Sequence, residues 1–76
     1  MKLVLVGGKT LIKILSKKGF VFKRQKGSHI QLEDNEGRLV TVPIHSGREI
    51  GRGLLGKILR DAEITRREYE KLRQEV

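Results

Sequence analysis

Two β-prone runs, Phe20-Val21-Phe22-Lys23-Arg24 and Ile30-Gln31-Leu32-Glu33, are separated only by Gln25-Lys26-Gly27-Ser28-His29. Gly27 supplies the backbone freedom that a tight reversal needs, so the stretch reads as a β-hairpin. Side chains alternate along a strand. With Ile30 and Leu32 facing a core, His29 and Gln31 must face the other way. Phe20 and Phe22 are expected on the core side of the first strand. Helices covering one side of such a sheet would leave His29 on an open surface.

The flanking sequence supplies those helices. Leu11, Ile14 and Leu15 recur at helical spacing from about Gly8 to Lys18, and Gly19 is a C-terminal stop. Asp34-Asn35-Glu36-Gly37 is a turn cluster, and Arg38-Leu39-Val40-Thr41-Val42 reads as a third strand that Pro43 ends. A loop over Pro43 to Ile50 leads to a second helix opened by Gly51 or Gly53, with Leu54, Leu55, Ile58, Leu59 and Ala62 on one face. Thr65-Arg66-Arg67-Glu68 matches a capping box, and Ile64 and Tyr69 have the spacing of a hydrophobic staple, so a third helix starts at about Arg66. Its apolar stripe of Tyr69, Leu72 and Val76 is narrow, which marks it as the element expected to fray or to serve a partner. The order helix, strand, strand, strand, helix, helix predicts an α+β fold: a three-stranded antiparallel sheet with helices packed on one face, the layout of double-stranded-RNA-binding domains.

At 76 residues the chain makes one domain, residues 1–76, with 64–76 a C-terminal helical extension. A chain this short buries only about 60% of its unfolded surface, so a deep substrate cavity is not expected and any chemistry belongs on an open face. No cysteine is present, so disulfides and thiolate metal sites are excluded. No apolar run reaches the roughly 18 residues of a membrane span, and Met1 to Val6 is too short for a signal-peptide core. The expected location is the cytoplasm. Seventeen Lys and Arg against nine Asp and Glu give a net charge of +8, and residues 1–32 hold eight basic and no acidic side chains. Such a half seeks a polyanion. Lys9, Lys13 and Lys17 form a stripe on the solvent side of the first helix, either a solvated face or one that tracks phosphates.

Leu3-Val4-Leu5-Val6-Gly7-Gly8-Lys9-Thr10 resembles the end of a phosphate-binding P-loop, but the glycine needed five residues before Gly-Lys is Leu3. These residues more simply break a short strand and start a helix. Two histidines without cysteine offer no zinc spacing. With Phe20, Phe22 and Tyr69 as the only aromatic residues, base stacking is poorly supported and backbone contacts are expected instead.

His29 is the sharp candidate. An unperturbed imidazole titrates near ~6.5 and can take the proton of a ribose 2′-hydroxyl, which then attacks the adjacent phosphorus and leaves a cyclic phosphate and a free 5′-hydroxyl. Arg24, Lys26, the Ser28 hydroxyl and the amides around Gly27 are the donors that would stabilise the phosphorane, and Lys23 extends the RNA-contacting set. His45 has two readings, a polar group that fixes its loop or an acid partner to His29. A basic RNA-binding module in which His29 is incidental stands as the alternative to catalysis.

Gly19-Phe20, Arg24-Gln25-Lys26-Gly27-Ser28-His29, Val40-Thr41-Val42-Pro43-Ile44-His45 and Gly53-Leu54-Leu55-Gly56-Lys57-Ile58-Leu59-Arg60-Asp61-Ala62 together resemble the HicA family of toxin ribonucleases, small partners in HicA–HicB toxin–antitoxin pairs. The resemblance runs from about Gly8 to Thr65. It implies a double-stranded-RNA-binding-like fold, metal-independent cleavage of mRNA, no cofactor, and a catalytic histidine at His29. It also implies a HicB-type antitoxin that covers the active surface and, as a complex, commonly represses its own promoter. Two segments depart from the pattern: Met1 to Val6 is more apolar and strand-like than expected before the first helix, and Arg66 to Val76 runs past the shared core. Either is a candidate oligomer or partner contact.

Overall fold

The computed structural model describes residues 2–76. Helix α1 (Gly8–Lys17) is followed by strands β1 (Val21–Lys26), β2 (His29–Glu33) and β3 (Leu39–Pro43), then helices α2 (Arg52–Asp61) and α3 (Arg66–Glu75). The strands form one antiparallel sheet in the order β1-β2-β3, so the α+β architecture and its α-β-β-β-α-α order are those expected from the sequence.

The core explains the layering. Leu32, Val40 and Val42 come from one face of the sheet, and they meet Leu11, Ile14 and Leu15 of α1 and Leu55, Ile58 and Leu59 of α2. Full burial of side chains this size contributes roughly 1.5–3 kcal/mol each. The end of α1 folds back on itself, the Gly19 and Phe20 amides donating to the carbonyls of Ser16 and Leu15, and this turn drops Phe20 into the core.

Gly8 is fixed by a close approach. A Cβ at this buried position would come within 2.4 Å of the Pro43 carbonyl oxygen and 2.7 Å of Ile44, so the first turn of α1 packs directly on the end of β3. Residues 2–6, expected to be strand-like, do not join the sheet. Their backbone groups are instead used as anchors: Ile50 N–H donates to Val6 at 2.8 Å, the Tyr69 hydroxyl donates to Val4, and Leu3 is buried. Of the Met1 to Val6 segment, Met1 lies outside the described residues.

Helix α3 is tied down more firmly than its narrow stripe implies. Tyr69 is only 1% exposed, and burial pushes its phenol above the ordinary value. The Thr65 side chain accepts from the Glu68 amide at 3.1 Å as a capping residue should. The Glu68 carboxylate pairs with Lys18 of the α1 end, joining the two helices.

Two apolar positions depart from expectation. Phe22 pairs with Leu32, so it lies on the core side of the sheet, yet it is 61% exposed. The helices pack most closely on β3, and β1 is the far edge strand, exposed along its whole length. Leu54, counted from the sequence on the buried face of α2, is 41% exposed at the edge of that face.

The β2–β3 turn is held by charge. Asp34 accepts from the amides of Glu36 and Arg38 and from the Arg38 guanidinium, which also donates to Glu63 at 3.1 Å. Glu63 has a left-handed backbone (φ 57), a conformation that costs a non-glycine residue roughly 1–2 kcal/mol, and its pairing with Arg38 holds it there. Desolvation pushes the Asp34 carboxyl upward, but the hydrogen bonds from Arg38 and Glu36 outweigh it and leave the pKa below the ordinary value; the Arg38 hydrogen bond lowers Glu63 likewise. A depressed carboxylate stabilises the fold above its unfolded pKa near ~4, and that contribution is lost as pH falls through the lower folded value. Urea unfolding midpoints should therefore be flat near neutrality and fall below about pH 4. Asp34→Asn should lower the neutral midpoint and weaken the acid dependence; an unchanged acid limb would show that the turn contributes nothing.

Candidate functional site

The hairpin turn sets the site. Lys26 pairs with His29, leaving Gly27 and Ser28 as a two-residue loop, and Gly27 adopts φ 59, the positive value that the first residue of a type II′ turn requires. The Gln25 side chain donates to the Gly27 carbonyl at 2.9 Å. The Ser28 carbonyl accepts from Ile44 at 2.7 Å, so the turn is also tied to the chain leaving β3.

From this turn the register carries His29, Gln31 and Glu33 to the face opposite buried Leu32. Their partners on that open face are Lys26, Arg24 and Val21 from β1, and Pro43, Thr41 and Leu39 from β3. A bulge makes this possible. Phe22 pairs with Leu32 and Arg24 with Gln31, so Lys23 is an extra residue between them. Simple alternation from Phe22 would turn Arg24 and Lys26 toward the helix side; the inserted residue brings both beside His29.

The basic residues named from the sequence divide accordingly. Lys23 forms an ion pair with Glu33 at 3.3 Å. Arg24 and Lys26 have no acidic partner among the described residues and border a concavity of about 180 Å³ with His29, Gln31 and Thr41. Gly27 and Ser28 form the loop beside it. Lys9 and Lys13 are also unpaired but lie on α1, whereas Lys17 approaches Glu75 at 4.0 Å.

His29 is exposed and borders two further concavities. One, about 290 Å³, lies between β3 and α2 and includes Leu39, Thr41, Leu54, Lys57 and Asp61. The other, about 340 Å³, brings His29 together with His45, Arg48 and Leu54. His45 is exposed, and its contribution to the loop is its backbone carbonyl, which accepts from Arg48 at 3.0 Å; its imidazole is free of hydrogen bonds to the described residues. The two histidines thus share one hollow.

Sequence reasoning missed the α2 side of this surface. The i,i+4 pair of Lys57 and Asp61, joined at 2.7 Å, was a readable signal. Exposure of Leu39 and Leu54 was not, since an apolar residue in a strand or on a helix stripe reads as core. The Gly-Lys-Thr segment borders a separate hollow with the His45–Glu49 loop, and close packing at Gly8 accounts for its glycine. Among the described residues, no group of three or more His, Asp or Glu side chains is arranged to hold a metal ion, and no helix is long and apolar enough to cross a membrane.

The sequence matches the family model described as HicA toxin of bacterial toxin–antitoxin over residues 8–64, from the first residue of α1 to the residue before the α3 cap. The chain belongs to the HicA toxin family. It is therefore a toxin of a toxin–antitoxin system, and membership implies an antitoxin partner. Comparison with curated proteins finds none that matches. Within this HicA-family chain the matched span contains all three sheet strands and α2, hence every residue around His29 described above.

Because His29 is exposed and is absent from the core, its removal should cost little stability. His29→Ala is expected to shift the unfolding free energy by less than about 0.5 kcal/mol, measured by urea denaturation. A loss above about 2 kcal/mol would mean that the imidazole holds the sheet together.

Proposed function

We propose that this HicA-family toxin is an endoribonuclease that cleaves mRNA without a metal ion, with His29 as its proton-transfer residue. The observation that carries the reading is an exposed imidazole on an open sheet face beside two cations, Arg24 and Lys26, which have no acidic partner among the described residues. Phosphates are the ligands such a face attracts, with counterion release supplying affinity.

The chemistry needs only the RNA and these side chains. Neutral His29 takes the proton from a ribose 2′-hydroxyl, and the 2′-oxygen attacks the adjacent phosphorus. The bond from phosphorus to the 5′-oxygen breaks and that oxygen is protonated, giving a 2′,3′-cyclic phosphate and a 5′-hydroxyl end. Arg24 and Lys26 stabilise the charge gathering on the phosphorane oxygens, with Ser28 and the Gly27 loop amides as further donors. His45, sharing the hollow, is the candidate donor of the second proton. The partner that neutralises the toxin is a HicB-type antitoxin covering this face, and the setting is the cytoplasm, where mRNA is available.

Kinetic and binding measurements test these assignments. His29→Ala should lower RNA cleavage at least ~100-fold while changing RNA affinity less than about twofold, since acid–base groups contribute roughly 10²–10⁴ in rate. An active His29→Ala protein would remove the histidine from the mechanism. His45→Ala tests the two-histidine version, which requires a comparable rate loss. For binding, the double change Arg24→Gln with Lys26→Gln should reduce the slope of log affinity against log salt by about 1.4, two contacts at ~0.7 each on single strands. An unchanged slope would mean that RNA approaches another face.

A further inference from the structure

His29 stands between surfaces of opposite chemistry. On the β1 side lie Arg24 and Lys26, unpaired among the described residues and suited to phosphates. On the other side, the groove between β3 and α2 is lined by apolar Leu39, Pro43 and Leu54, with the Thr41 hydroxyl, the Lys57–Asp61 pair and His29 itself as its polar groups. Leu39 and Leu54 are large, exposed and unused by the core. Apolar surface of this sort beside a few directed polar groups is the composition of a ligand groove.

A phosphate does not fit it. The lining offers it little, the Asp61 carboxylate repels it, and the Lys57 ammonium is already engaged by Asp61 at 2.7 Å. A flat, uncharged ring with hydrogen-bonding edges does fit, and one is available. The nucleotide that supplies the attacking 2′-hydroxyl carries its base on the same ribose, so when the hydroxyl is at His29 the base lies one sugar away.

We infer that the groove between β3 and α2 receives the nucleobase of the nucleotide attacked at His29, and that Leu54 and Asp61 set base preference at the cleavage site. This inference rests on the ribonuclease reading above. Leu54, like Pro43, borders both the groove and the hollow shared by the two histidines, so its side chain stands where the two spaces meet beside His29. Asp61 only accepts hydrogen bonds. It favours a base that offers an amino group, adenine, cytosine or guanine, over uracil, whose edge carries one N–H between two carbonyls. Lys57 orients the Asp61 carboxylate through their 2.7 Å ion pair.

Binding can be read apart from cleavage. His29→Ala protein with labelled methyl groups is titrated by NMR with oligo(A), oligo(C), oligo(U) and an abasic ribose-phosphate strand of equal length. Leu39 and Leu54 methyl signals should move with oligo(A) and oligo(C), and affinity should fall about tenfold or more for oligo(U) and the abasic strand, the scale of one good base contact. Adding Leu54→Ala or Asp61→Asn should shrink that difference; both side chains are exposed, so the core is untouched. Leu39 and Leu54 methyl signals that stay still at RNA concentrations that saturate binding, or equal affinity for the abasic strand, would overturn the inference. So would a Leu54→Ala protein that loses antitoxin neutralisation yet keeps its base discrimination, since the groove would then belong to the antitoxin. A wild-type protein that cuts no RNA defeats the ribonuclease reading instead, and the titration still decides whether the groove holds a base.

Discussion

The alternation of β2 governs this molecule. Leu32 is buried between the sheet and the helices, and a strand that commits Leu32 inward commits His29 and Gln31 outward. A slip of one residue would exchange the two sets, exposing leucine and burying imidazole, so the same burial energy that holds the sheet against α1 and α2 also keeps His29 on the open face. Pinning comes from both sides of the strand: the Gly27–Ser28 loop fixes the register with β1, and pairing of His29 with Pro43 through Glu33 with Leu39 fixes it with β3.

Charge is distributed to match. Several acid side chains beyond residue 32 pair with cations of the fold, Asp34 and Glu63 with Arg38, Glu68 with Lys18, Asp61 with Lys57 and Glu33 with Lys23. Arg24 and Lys26 are left out of these pairs. The bulge at Lys23 turns them to the face that carries His29, so a local irregularity of an edge strand concentrates positive potential there. The C-terminal α3 contributes indirectly, since its Tyr69 hydroxyl and ring hold the N-terminal segment that in turn braces the loop before α2.

Much of this was legible in the sequence because the signals were local. Gly27 between two β-prone runs, Gly19 after an apolar helix stripe, and Thr65 three residues before Glu68 each specify backbone geometry on their own. What escaped depended on tertiary reach. The bulge at Lys23 exists only relative to β2, and Phe22 looks like a core residue unless the helices' cover is known to stop short of β1. Leu54 falls on the apolar stripe of α2 by periodicity, and its exposure follows from where α2 meets β3. The residues 3–6 run has strand composition, but its carbonyls accept from Ile50 and Tyr69, distant in sequence, instead of joining the sheet. The groove opposite Arg24 and Lys26 was invisible for the same reason: it is made by two elements separated in the chain by the loop of residues 44–51.

The proposed role of His29 is to draw a proton from the RNA's own 2′-hydroxyl. It is tested most directly by placing a single 2′-deoxy nucleotide at a mapped cleavage position and incubating the RNA with purified protein in EDTA. The unmodified strand should be cut to 2′,3′-cyclic phosphate and 5′-hydroxyl ends while the substituted strand stays intact at that position. Cleavage of the substituted strand at the same rate, or products ending in 5′-phosphate, would contradict it.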